Sequence, residues 1–96
     1  MLETLPNDME DAQDYGRAIK VTMLMFGPLA EKMGTREIEV SMPDGTTLIQ
    51  LAERFGLEGM LNSGMRAAID GIFEPNTSRE LHDLAEVAFL PPVSGG

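Results

Sequence analysis

Glu86-Val87-Ala88-Phe89-Leu90-Pro91-Pro92-Val93-Ser94-Gly95-Gly96 changes character twice within one short stretch. Val87 and Phe89 alternate with Ala88 and Leu90, the period of a strand with one buried face. Pro91 and Pro92 end any sheet ladder, because proline has no N–H to donate and a fixed φ. Leu90, placed before a proline, is itself pushed towards an extended conformation. Val93 and Ser94 continue the extension, and Gly95-Gly96 ends on a carboxylate with no side chain beside it. The order predicts a strand anchored in a core, a stiff spacer and a thin tip. A diglycine end adds nothing to a core and is entropically costly to hold. Its physical advantage is slimness: it can enter a narrow tunnel and present its carboxylate to another protein.

Working outward from that strand, Ile19 to Phe26 (IKVTMLMF) reads as a second strand of mixed polarity. Val21, Met23 and Met25 share one face, and Leu24 and Phe26 lie on the other with only partial cover expected. Gly27-Pro28 opens a short helix to Met33, with proline at the first helical position and Gly34 just past the end. Arg36 to Met42 alternates cleanly: Ile38, Val40 and Met42 point one way, and Glu37, Glu39 and Ser41 point to water. It is expected to run antiparallel to the strand before it, and Pro43-Asp44-Gly45 is a turn. Thr47 to Phe55 is the main helix, with Thr47 and Gln50 as a capping box and Leu48, Leu51, Ala52 and Phe55 as its apolar stripe. Leu57 to Gly64 reads as a linker with room for one helical turn around Met60 and Leu61. Met65 to Ile69 is a strand, Asp70-Gly71 is a hairpin signal, and Ile72 to Glu74 is the returning strand. Pro75 to Ser78 is loop, and Ser78 is placed to cap a single turn that carries Leu81 into the core.

The element order defines an α+β fold. It predicts a ubiquitin-like β-grasp: a mixed sheet of about five strands, first and last central and parallel, with one main helix packed on one face. Residues 18–90 form the domain and 91–96 an extended tail. Residues 1–17 carry Glu3, Asp8, Glu10, Asp11 and Asp14 against a single Arg17, which predicts an acidic, disordered extension.

Composition narrows the function. The 96 residues suit one domain, and no stretch approaches the ~20 apolar residues of a membrane helix. The N-terminus lacks the layout of a secretion signal, so a cytoplasmic location and no membrane partner are expected. A net charge of −9 argues against nucleic acid. Cysteine is absent and His82 is the single histidine. These counts exclude a cysteine-borne persulfide and disfavour a His-based triad or metal site. His82, beside Asp83 in a polar loop, reads as a surface residue.

Ile19-Lys20-Val21, Phe26-Gly27-Pro28-Leu29-Ala30-Glu31-Lys32-Met33-Gly34 and above all the stretch from Glu86 to Gly96 resemble the small-subunit family of molybdopterin synthase. These are β-grasp sulfur carriers related to the thiamine-pathway carrier and to ubiquitin, and the resemblance covers Ala18 to Gly96. It implies that the terminal carboxylate of Gly96 is adenylated by an E1-like activating enzyme that uses ATP. A sulfurtransferase then converts it to a thiocarboxylate, which delivers sulfur to cyclic pyranopterin monophosphate in molybdenum cofactor biosynthesis. On that account the chain is not an enzyme on its own and binds no cofactor or metal. It is the carrier subunit of a heterotetramer with the large catalytic subunit of molybdopterin synthase.

By the same resemblance the partner-binding residues are Phe26, Phe73 and Leu90, with Pro91, Pro92, Val93, Ser94 and Gly95 as the inserted tail. The sequence departs from the family pattern at Ala30, where a basic residue is common. It departs again at Leu84-Ala85-Glu86, often Gly-Asp-Glu, and at Asp70, often asparagine. Carriers for thiamine, tRNA thiolation or tungsten cofactor share this tail, and so do ubiquitin-like modifiers that would join Gly96 to lysines.

Overall fold

Ala18–Met25 forms strand β1, from which the sheet is built outward on both sides. Ile19, Val21, Met23 and Met25 are buried along it while Lys20 is exposed and Leu24 half-buried, so one face of the strand seats the core. The computed structural model describes residues 17–92. The acidic extension, Arg17 apart, and Val93, Ser94, Gly95 and Gly96 lie outside the described residues.

The elements follow in the order α1 (Gly27–Met33), β2 (Glu37–Pro43), α2 (Leu48–Arg54), α3 (Glu58–Asn62), β3 (Arg66–Ile69), β4 (Ile72–Phe73) and β5 (Glu86–Leu90). They assemble a five-stranded sheet of order β2-β1-β5-β3-β4. β1 pairs antiparallel with β2 and parallel with β5, and β3 pairs antiparallel with both β5 and β4. The first and last strands are therefore central and parallel, and the fold is the α+β β-grasp that the element order predicts.

Packing follows the sequence pattern. Leu48, Leu51 and Ala52 of α2 are fully buried in the same cluster as Val21, Met23, Met25, Val87 and Phe89. α1 buries only Leu29 and α3 buries nothing completely, so α2 is the helix that closes the core. Thr47 caps it: its hydroxyl accepts from the Gln50 N–H, and the Gln50 side chain accepts from the Thr47 N–H at 2.9 Å. Asp70 and Gly71 both take positive φ, 54° and 82°, the two-residue hairpin geometry that matches strand twist.

The loop before β5 corrects one expectation. No helical turn capped by Ser78 forms. Ser78 N–H instead donates to the Asn76 side chain at 3.0 Å, and the loop carbonyls turn towards α2. Leu48 N–H donates to Arg79 O and Ile49 N–H to Thr77 O, at 2.9 and 2.8 Å. Those amides are donors that a helix start cannot satisfy internally, and a loop with one tight turn, closed by Arg79 N–H on Asn76 O at 3.1 Å, leaves the Thr77 and Arg79 carbonyls free to reach them. Leu81 reaches the core nonetheless, anchored by Leu81 N–H to Thr46 O and by the Thr47–Glu80 bridge.

Candidate functional site

The sheet has one face covered by α2 and one face left open, and strand register assigns residues to each. Val87 and Phe89 of β5 lie level with Met23 and Met25 of β1 and with Ile69 and Ala67 of β3, on the covered face. The alternate residues fall on the open face: Leu24, Ala88 and Ala68 in one row, and Leu90 opposite Arg66 in the next. Phe73 of β4 is paired with Ala68 and shares that face. Leu24, Ala88 and Leu90 are half-buried.

Phe26 directly follows β1 with extended backbone, φ −133° and ψ 153°, before Gly27 turns the chain into α1. Extending the β1–β5 register by one residue puts it level with Leu90. Phe26 is 45% exposed and Phe73 50% exposed, so neither belongs to the core. Phe26, Leu90 and Arg66 thus run as a row across the sheet, and the Arg66 guanidinium sits 5.3 Å from the centroid of the Phe73 ring. The three side chains expected from the sequence, Phe26, Phe73 and Leu90, fall on one surface. Leu24 and Ala88, read from the alternation as lying on this face, belong to it too, and so does Arg66, which sequence reading missed because its place depends on a β3–β5 pairing between distant segments.

β5 runs out of the sheet beside this row. Pro91 and Pro92 are exposed, yet they also line a groove of about 280 Å³ whose walls are almost wholly apolar, formed with Pro28, Leu29, Met60 and Met65. A Cβ built on Gly64, at φ 110°, would stand 3.5 Å from Pro92 Cβ. The root of the tail therefore lies against α1 and the junction between α3 and β3. Val93, Ser94, Gly95 and Gly96 follow from there, outside the described residues.

Chemistry on the body is sparse. Among the described residues no three His, Asp or Glu side chains gather as a metal site. His82 is exposed, and from the loop before β5 it pairs with Asp70 of the β3–β4 turn: its Nε2 meets the Asp70 carboxylate and its Nδ1 meets Asp83 O at 2.8 Å. The bond to Asp70 and then that carbonyl raise its pKa above the ordinary value near 6.5. The Glu86 N–H, donating at 3.0 Å, and then His82 lower that of Asp70. This pair stands beside the start of β5, at the opposite end of that strand from the tail. No helix among the described residues is long and apolar enough to cross a membrane.

A parallel β1–β5 centre, one helix-covered face and a proline-led tail beside an apolar cluster on the other face define a ubiquitin-like β-grasp protein. Residues 23–96 match the ThiS family, and the chain belongs to that family. It is 30% identical over 83 residues to the molybdopterin synthase sulfur carrier subunit of Caenorhabditis briggsae, covering 81% of this chain and 99% of the relative. Two solved structures share the fold. Small archaeal modifier protein 1 of Haloferax volcanii has a TM-score of 0.65 at 22% identity, over 80% of this chain and 99% of its own. In the complex of subunits 1 and 2 of the molybdopterin-converting factor from Helicobacter pylori, the matching chain has a TM-score of 0.56 at 24% identity, over 81% of this chain and 100% of its own.

Proposed function

We propose that this chain is the sulfur carrier of a molybdopterin synthase. Its Gly96 carboxylate is activated as an acyl-adenylate by an E1-like enzyme that consumes ATP. A sulfurtransferase displaces AMP with sulfur, leaving a terminal thiocarboxylate. That group is ionised at neutral pH and is a soft nucleophile, and it gives its sulfur to cyclic pyranopterin monophosphate in the large subunit. Hydrolysis then restores the carboxylate. The catalytic side chains are the partners', and this chain contributes the acyl carrier and the surface that docks it.

The observation that carries the reading is the junction at Leu90. A central strand delivers Pro91-Pro92 directly from Leu90, on the open face that also bears Phe26 and Phe73, within a ThiS-family match that extends to residue 96. The identity to the nematode carrier subunit supports the molybdopterin pathway over thiamine, tRNA thiolation or tungsten cofactor. Exposed aromatic and aliphatic anchors at the root of a tail suit a binding hot spot for the large subunit.

The test is the mass of the intact chain isolated from its own host, together with a Gly96 deletion. Sulfur in place of one terminal oxygen, and loss of molybdopterin formation without Gly96, are the expected results. A second reading, a ubiquitin-like modifier, draws on the fold shared with the archaeal modifier. Gly96 recovered as an isopeptide on lysines, with molybdopterin synthesis intact in the deletion, would favour it.

A further inference from the structure

Arg66 is a cation set beside the apolar cluster of Leu24, Phe26, Ala88, Leu90 and Phe73 on the open face. It stands opposite Leu90 in the β3–β5 register, and its guanidinium is stacked on the Phe73 ring. Arg17, Lys20 and Arg79 each meet a carboxylate, and Arg54 donates to Ser41 O. Arg66, like Lys32 and Arg36, meets no carboxylate among the described residues, and of the three it is the one that stands in register with Leu90. The contact with Phe73 places a planar fork of N–H donors over one side of the open face. A partner that covered Phe26, Leu90 and Phe73 with apolar surface alone would also bury this guanidinium without a counter-charge, which is strongly unfavourable.

Resting on the docking surface proposed above, we infer that the partner brings an aspartate or glutamate carboxylate onto Arg66 and accepts two parallel hydrogen bonds from its fork. Arg66 then does what the apolar anchors cannot. Phe26, Leu90 and Phe73 reward any apolar surface, whereas an unmatched Arg66 penalises every surface that lacks an acid at that point. The complementary partner is apolar over most of the patch and acidic at one place, close to where the tail enters.

The test is calorimetric titration of the full chain with the molybdopterin synthase large subunit of the same organism. Arg66→Met keeps an unbranched apolar stem and removes the charge, Arg66→Lys keeps the charge and removes the fork, and Phe26→Ala removes an apolar anchor. Thermal melts of each variant report that the fold is retained. Arg66→Met weakening binding about tenfold or more, with Arg66→Lys in between, supports the carboxylate. Arg66→Met binding as tightly as the parent while Phe26→Ala weakens binding overturns it and leaves the docking surface standing. Neither variant weakening binding overturns both. Self-association of the chain that Arg66→Met abolishes would place the carboxylate on a second copy and overturn the assignment to the large subunit.

Discussion

Asp70 and His82 are twelve positions apart, and the pairing of β3 with β5 brings them together. With Nδ1 on a carbonyl and Nε2 on a carboxylate, both ring nitrogens are donors, which is the protonated form of the ring. His82 has a raised pKa in the folded chain, so its contribution to stability is complete below pH 6.5 and is lost as pH rises through the raised value. Asp70 has a lowered pKa, so its contribution is present above pH 3.8 and is lost as pH falls through the depressed value. Between those limits the bridge is fully formed. Urea unfolding across a pH series should show the parent more stable than His82→Gln near pH 5–6, with the difference closing at alkaline pH. A difference that does not change with pH would mean the bridge is not charged. Leu84 invites a second test: it holds φ 67° with its side chain 73% exposed. A left-handed Leu is strained by roughly 1–2 kcal/mol, and little burial is lost on removing the side chain. Leu84→Gly should raise stability by roughly 0.5–1 kcal/mol after glycine's entropic cost, seen as a melting temperature a few degrees higher. The His82–Asp70 pair was not legible in the sequence, where His82 stands beside Asp83; Leu84 was marked only as a leucine where the family often has glycine, and its positive φ gives the reason.

At the level of elements, the readable signals were the local ones. The alternation of β2, the Thr47–Gln50 capping box and the Asp70-Gly71 hairpin each act within a few residues, and each forms as the spacing dictates. The turn expected between Ser78 and Leu81 was misread because the structure there answers a non-local demand, the free amides at the start of α2. Removing the Thr47 hydroxyl separates the two capping contributions. Thr47→Ala leaves the Arg79 and Thr77 carbonyls on Leu48 and Ile49 but takes the acceptor from Gln50 N–H. The expected loss is about 1 kcal/mol, measured by denaturant midpoint at unchanged slope. A markedly larger loss with a smaller slope would show that the loop from Asn76 to Leu81 detaches along with the cap.

Across the whole molecule the sheet divides the work between its faces. The covered face holds Phe89, Val87, Met23 and Met25 against α2, all fully buried. The open face holds Phe26, Leu90, Arg66 and Phe73 beside the tail. Adjacent residues of one strand therefore serve different ends, and Phe89 and Leu90 differ in role because their side chains leave opposite sides of β5. That division was visible in the alternation of Val87 and Phe89 with Ala88 and Leu90; the row that Leu90 joins was not, since Arg66 reaches it only through pairing. Two substitutions should separate folding from docking. Phe89→Ala opens a cavity in the core and should cost about 3–5 kcal/mol, a large share of the roughly 5–15 kcal/mol that keeps a domain folded. Phe26→Ala removes a ring already half in water, so its effect on stability should stay within about 1 kcal/mol while binding to the large subunit falls. Unfolding curves and binding titrations on the same two proteins decide it. Equal losses of stability in both would show that Phe26 belongs to the core after all, and the open face would lose its anchor.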